Sequence, residues 1–142
     1  MSAYTIIKDK YGMPDVAYQS KYCTIWQVQE DFPWFPAEKI FINTEFKGKL
    51  FKAFTNLEKA GLHKEIKTFD GCYNVRAVRG KSVLSLHAYA MAVDFNAATE
   101  KLGQDRTNLS GQFVAIMKAQ GIFWGGDYIN RKDPMHWSLY NG

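Results

Sequence analysis

The chain has 142 residues, 46% of them hydrophobic and 15% aromatic, which excludes a disordered segment and fits one globular domain, 1–142, with a buried core. Eighteen basic and 14 acidic residues leave a net charge of +4, but the basic side chains are scattered and no nucleic-acid-binding motif accompanies them, so no nucleic-acid partner is expected. No apolar run approaches the ~20 residues of a membrane span, and residues 1–8 lack a basic segment followed by an apolar one, so the reading is cytoplasmic synthesis without a signal peptide, no membrane partner and a monomer.

Residues 1–46 are the least readable part. Tyr11-Gly12-Met13-Pro14-Asp15 is a turn signal, and Phe32-Pro33-Trp34-Phe35-Pro36 is a proline-punctuated aromatic loop that cannot be a helix interior. The aromatics there serve either as core cover or as stacking platforms for a glycan, and core cover is the commoner use. Residues 22–29 and 40–42 have the β-branched and aromatic flavour of strands. From Gly48, the recurrence of Leu50, Phe51, Phe54, Leu57 and Ala60 predicts a helix that Gly61 stops. Residues 66–69 and 72–77 read as short strands around an Asp70-Gly71 turn, with Arg76 and Arg79 near the end of the second. His63 reads as a surface histidine, and Cys23 and Cys72, neither in a C-x-x-C pair, as free thiols.

The next stretch, Ser85-Leu86-His87-Ala88-Tyr89-Ala90-Met91-Ala92-Val93-Asp94, concentrates polar chemistry in an apolar setting. His87 and Asp94 are seven apart, an odd interval that does not share one face of a straight strand, so the chain must bend between them, near 88–90. A strand over 91–95 would then put Ala92, Asp94 and Asn96 on one face and Val93 and Phe95 on the other. Residues 96–106 read as a polar loop, 109–120 as a helix burying Phe113, Ile116 and Met117 with Gly121 after it, and 122–124 as a strand ending at Gly125-Gly126. A last strand carries Asp133-Pro134-Met135-His136-Trp137.

Imidazole nitrogen and carboxylate oxygen are ordinary Zn²⁺ ligands, and three protein ligands leave a position for water. His87, Asp94 and His136 could supply those three. Spacing alone leaves open the blander alternative, a hydrogen-bonded core histidine and a strand-end aspartate.

Ser85-x-His87-x-x-Ala90-x-Ala92-x-Asp94 followed by Asp133-x-x-His136 resembles the zinc signature of the D-Ala-D-Ala carboxypeptidase and VanY-type metallopeptidases, which cut peptidoglycan stem peptides. The nearest likeness is to small phage endolysins with L-alanyl-D-glutamate endopeptidase activity. Gly80, Trp124-Gly125-Gly126-Asp127 and the 133–137 segment extend the likeness over roughly residues 45–140, with one departure, Ala90, where the family usually has Gly. An alanine there is tolerated at negative φ and strained otherwise.

The resemblance implies an α+β domain, a small antiparallel sheet with helices packed on one face and the zinc site at the sheet. It implies His87, Asp94 and His136 as Zn²⁺ ligands and Asp133 as the acid–base residue. Arg76, with Arg79 the weaker match, and Ser85 would bind substrate or the developing oxyanion, Ser85 alternatively orienting His87; Trp124 and Asp127 would border the cleft. The expected function is a zinc-dependent endopeptidase on peptidoglycan stem peptides, acting on the cell wall after release. A D-alanyl-D-alanine carboxypeptidase is the alternative, and a non-catalytic zinc-containing binding domain the alternative of another class.

Overall fold

In the computed structural model, residues 2–75 and 84–142 are described, and they form an α+β fold of five α-helices and two small antiparallel sheets. The helices are α1 (Ala3–Tyr11), α2 (Val16–Tyr22), α3 (Val28–Asp31), α4 (Thr44–Lys59) and α5 (Gly111–Ala119). Strands β1 (Cys23–Trp26) and β2 (Ile40–Asn43) form one sheet; β3 (Phe69–Gly71), β4 (Ala92–Phe95), β5 (Phe123–Trp124) and β6 (His136–Ser138) form the other in the order β3-β4-β6-β5. No helix among the described residues is long and apolar enough to cross a membrane.

The central helix α4 follows from its sequence. Phe46, Leu50, Ala53, Phe54 and Leu57 recur at three- and four-residue steps and are fully buried, each large side chain worth about 1.5–3 kcal/mol on burial. Its N-cap is Asn43, whose Oδ1 accepts the Phe46 amide at 3.0 Å, so the helix begins four residues before the Gly48 start expected from apolar spacing. It packs against β1, β2 and α5, and stacks Phe54 on Trp26 at 5.9 Å.

Several expectations are corrected. The predicted strand at 22–29 is shorter, because α2 runs to Tyr22 and α3 begins at Val28. Asp15 caps α2 through Tyr18 N at 2.9 Å, so the 11–15 turn joins two helices that apolar periodicity did not reveal. Asp70-Gly71 is not a hairpin turn but the end of β3, which pairs with β4 and carries a bulge between Phe69 and Gly71. Residues 72–75 form no strand, and 76–77 lie outside the described residues, as do Arg76, Arg79 and Gly80. The last strand starts at His136, leaving Asp133 in the turn before it. His63 is half-buried with its ring 5.1 Å from Trp34 rather than free on the surface, whereas Phe32 and Phe35 are buried in the core, in line with the core-cover reading of the aromatics.

The part of the chain least legible in sequence underpins the region of His87. Tyr18 Oη donates to the Tyr89 carbonyl at 2.6 Å, Asn43 Nδ2 donates to Tyr18 Oη at 3.1 Å, and the Asn43 amide donates to the Ala90 carbonyl at 3.0 Å. One helix, α2, and one strand, β2, from the first 43 residues are thus tied to one turn.

Candidate metal centre

His87 lies in a single 3₁₀ turn, Leu86–Tyr89, whose N-cap is Ser85. Ser85 Oγ accepts the His87 amide at 3.2 Å and the residue is buried, which suits holding the turn better than meeting a substrate. Ala90 closes the turn with φ 54° and ψ 33°, the left-handed region, and donates its amide back to the His87 carbonyl at 3.1 Å. This reversal is the bend that the odd His87–Asp94 interval requires. It is made by an alanine where left-handed backbone costs about 1–2 kcal/mol.

Replacing Ala90 with Gly removes that strain but also removes a buried methyl and adds chain entropy, so stability is expected to stay within about 0.5 kcal/mol of the parent. The same change at Ala53, buried in α4, is expected to cost about 1.5–2 kcal/mol from helix propensity and the lost methyl. Urea melts of both variants check this; equal losses would mean that Ala90 carries no backbone strain.

Strand register brings the next two residues together. Asp94 on β4 lies directly opposite His136 on β6, and opposed residues of an antiparallel pair point to the same face. Val93 and Trp137 form the adjacent pair and point the other way, where Trp137 stacks on Trp124 at 5.4 Å and meets Phe113 edge-on at 5.9 Å. Asn96 does not continue the Asp94 face. At φ 57° it turns away, its Oδ1 accepting the Lys67 and Thr68 amides at 2.8 and 3.1 Å.

His87, Asp94 and His136 each offer a ligand atom, and these atoms lie within 4.8 Å of one another. His87 Nε2 is 3.3 Å from Asp94 Oδ2, and His136 Nδ1 is 3.5 Å from Asp94 Oδ1. The outer nitrogens meet carbonyls: His87 Nδ1 is 2.7 Å from the Cys72 oxygen and His136 Nε2 is 3.1 Å from that of Gly142. A carbonyl only accepts, so each outer nitrogen carries a proton, and a ring in that tautomer turns the lone pair of its other nitrogen inward.

Two lone pairs and a carboxylate facing one another repel unless protons or a cation stand between them. Burial pushes the Asp94 carboxyl up, but the close approach of the His136 and His87 rings outweighs it and holds the group well below the ordinary carboxylate range. Among the described residues, His87 Nε2 and Asp94 Oδ1 are buried without a hydrogen-bond partner. The two imidazoles approach different oxygens of the one carboxylate, at 3.3 and 3.5 Å, and one ligand atom from each residue lies within 4.8 Å of the others, close enough to share an ion. The donor set therefore fits a Zn²⁺ ion, and Asp94, with 16% of its side chain exposed, keeps the group in touch with solvent.

Asp133 stands outside this group of three but is firmly placed. Its amide donates to the Gly125 carbonyl at 2.8 Å, and its own carbonyl accepts the His136 amide at 3.0 Å. A Cβ on Gly125 would sit 2.2 Å from the Asp133 carbonyl oxygen, and one on Gly126 would sit 2.3 Å from the Trp124 ring. The two glycines are thus explained by close approach, one to the Asp133 backbone and the other to an indole. Trp124 Nε1 donates to the Pro134 carbonyl at 2.8 Å, and Asp127 pairs with Lys118, so both structure the neighbouring turn. The Gly125 contacts and the carbonyl partners of the two imidazoles were not legible in the sequence, since each is a backbone group whose chemistry is independent of residue type.

Residues 79–139 match the family model described as D-alanyl-D-alanine carboxypeptidase. The match covers less than half of the chain but spans Ser85, His87, Asp94, Asp133 and His136, and it supports a peptidase of this family. Arg76 falls just before the carboxypeptidase match and Arg79 at its first residue. The cysteines stand outside the donor set. Cys23 and Cys72 are free thiols, and burial pushes both up, Cys72 well above its ordinary value.

Proposed function

We propose that the chain is a zinc-dependent peptidase acting on peptidoglycan stem peptides, with His87, Asp94 and His136 as the metal ligands and Asp133 as the acid–base residue. The observation that carries this reading is the convergence of two imidazole lone pairs and a carboxylate, with both outer nitrogens spent on carbonyls. The match to the carboxypeptidase family supplies the substrate class.

Bound at this site, Zn²⁺ would act as a Lewis acid and bring the pKa of a water toward about 7. Asp133 takes a proton from the attacking water and returns it to the leaving amine. The Cys72 and Gly142 carbonyls hold the two rings in the tautomers that face inward. Ser85 keeps the His87 turn closed.

The L-alanyl-D-glutamate bond is the cleavage we propose, on the resemblance to endolysin peptidases. Cleavage of the terminal D-alanyl-D-alanine bond is the second reading, which the description of the matched family favours. Mass spectrometry of a defined muropeptide incubated with the zinc-loaded protein separates them. Release of the intact peptide from D-glutamate onward is expected; free D-alanine assigns the carboxypeptidase. Zinc bound at one per chain with no cleavage of either bond would leave the non-catalytic zinc domain standing and end the peptidase reading.

A further inference from the structure

Beyond the three ligands, the metal face of the larger sheet continues to its edge. Ser138 lies two residues after His136 on β6, and residues two apart in a strand point to one face. Phe123 of β5 opposes Ser138 and so shares that face, and β5 is the end strand of the sheet. One strand across and two residues along put the Phe123 backbone roughly 8 Å from that of His136. With 43% of it exposed, Phe123 is a large apolar side chain left in solvent within reach of a peptide held at the metal.

A cavity of about 350 Å³ opens beside it, lined by Phe123, Trp124, Lys118, Asp127 and Asn141 among others. Asn141 precedes Gly142, whose carbonyl meets His136 Nε2 at 3.1 Å, so the C-terminal segment runs from the cavity to the metal ligand. The walls are fixed. Trp124 stacks on Trp137 and is tethered through Nε1 to the Pro134 carbonyl. Asp127 ends the 3₁₀ turn that starts at Gly125, whose carbonyl also receives the Asp133 amide. Lys118 stands in the last turn of α5, its Nζ 5.6 Å from the centre of the Trp124 ring. Lys118 and Asp127 pair, yet 42% and 54% of their side chains stay exposed, so a cation and an anion stand side by side in solvent next to two aromatic rings. An exposed pair of this kind contributes little in water, and a ligand that offers both charges separates it at little cost.

Resting on the peptidase reading, we propose that this cavity is the subsite for the diamino acid at the third position of the stem peptide, in the form whose side chain ends in an ammonium and a carboxylate on one carbon, diaminopimelate. Lys118 takes the carboxylate, Asp127 takes the ammonium, and Phe123 with Trp124 flank the methylenes. One ion pair is exchanged for two, and no charge is left over. A lysine in the same place brings the ammonium alone, which draws Asp127 away and gives Lys118 nothing in return. One residue stands between the third position and either candidate bond, so the same subsite serves both. At about 3.3–3.6 Å per residue, that spacer and a long side chain together cover the distance from the metal to the cavity.

The test offers the zinc-loaded protein two muropeptides that differ only in carrying diaminopimelate or lysine. kcat/KM is expected to be about tenfold higher for the first, the effect of one added charge-assisted hydrogen bond. Amidating the side-chain carboxylate should erase that advantage. The ratio is expected to fall to about one in Lys118→Gln and to persist in Lys118→Arg, whose guanidinium still pairs with a carboxylate. Asp127→Asn should lower kcat/KM on both peptides by roughly three- to tenfold, since both bring the ammonium. Zinc per chain should match the parent in all three variants, because neither side chain belongs to the donor set. A parent that cuts both peptides equally, or the lysine form faster, overturns the subsite and leaves the peptidase reading standing, as does a ratio that survives Lys118→Gln. Equal loss on both peptides in Lys118→Gln, with a lowered melting temperature, makes the pair a structural tie and overturns the subsite too. A zinc-loaded parent that cuts neither peptide overturns the peptidase reading, and the subsite with it.

Discussion

Asp133→Asn is expected to bind zinc with the stoichiometry of the parent and to hydrolyse muropeptide roughly 10²–10⁴-fold more slowly. The amide keeps the size of the carboxylate and leaves the backbone bonds from Gly125 and to His136 in place, so the strand that carries His136 stays where it is. What is lost is a base, since an amide oxygen cannot take a proton from water at neutral pH. Because Asp133 stands outside the group of three close ligand atoms, metal content and turnover should separate in this variant. Zinc per chain by elemental analysis, read beside kcat, checks it. A variant that turns over at the parent's rate removes Asp133 from the mechanism, and one that loses its zinc makes it a ligand.

Removal of metal is expected to abolish hydrolysis and to lower thermal stability. Without a cation, two imidazole nitrogens and a carboxylate are held against one another, and the buried His87 Nε2 and Asp94 Oδ1 lack hydrogen bonds among the described residues. A ligand present at about a thousandfold over its dissociation constant adds about 4 kcal/mol to stability, if it does not bind the unfolded chain. At roughly 2–4 °C per kcal/mol for a domain of this size, adding zinc to chelated protein should raise the melting temperature by roughly 8–16 °C. Asp94→Asn, His87→Ala and His136→Ala should each lose most of that rise. Differential scanning calorimetry with and without zinc measures it. An equal rise in the parent and all three variants would place the ion elsewhere and sink the proposed centre.

The helices α4 and α5 were legible because their apolar spacing is a local consequence of burying one face. The two helices α1 and α2 were not. Their buried faces are narrow, with Ile7 and Tyr18 as the fully buried residues, and too few apolar positions repeat to set a period. Cap chemistry held information that spacing did not: Asp15 and Asn43 mark the starts of α2 and α4, and reading the start of α4 from Gly48 overlooked the second. Asp70-Gly71 misled because the dipeptide suits a tight turn as well as a bulged strand end, and only the pairing of β3 with β4 chooses between them.

The sequence by itself singled out the side chains proposed to carry the chemistry, because imidazoles and carboxylates in an apolar setting need partners, and it required a bend between His87 and Asp94 because seven is odd. Tertiary structure alone decided the rest. The β4–β6 register set Asp94 opposite His136, a left-handed alanine made the bend, and carbonyls 15 and 6 residues away in sequence turned the two ring lone pairs inward. Gly125 hung Asp133 from its carbonyl oxygen. These are contacts of backbone groups that every residue possesses, so their partners are fixed by where the chain passes in space and leave no mark in residue type.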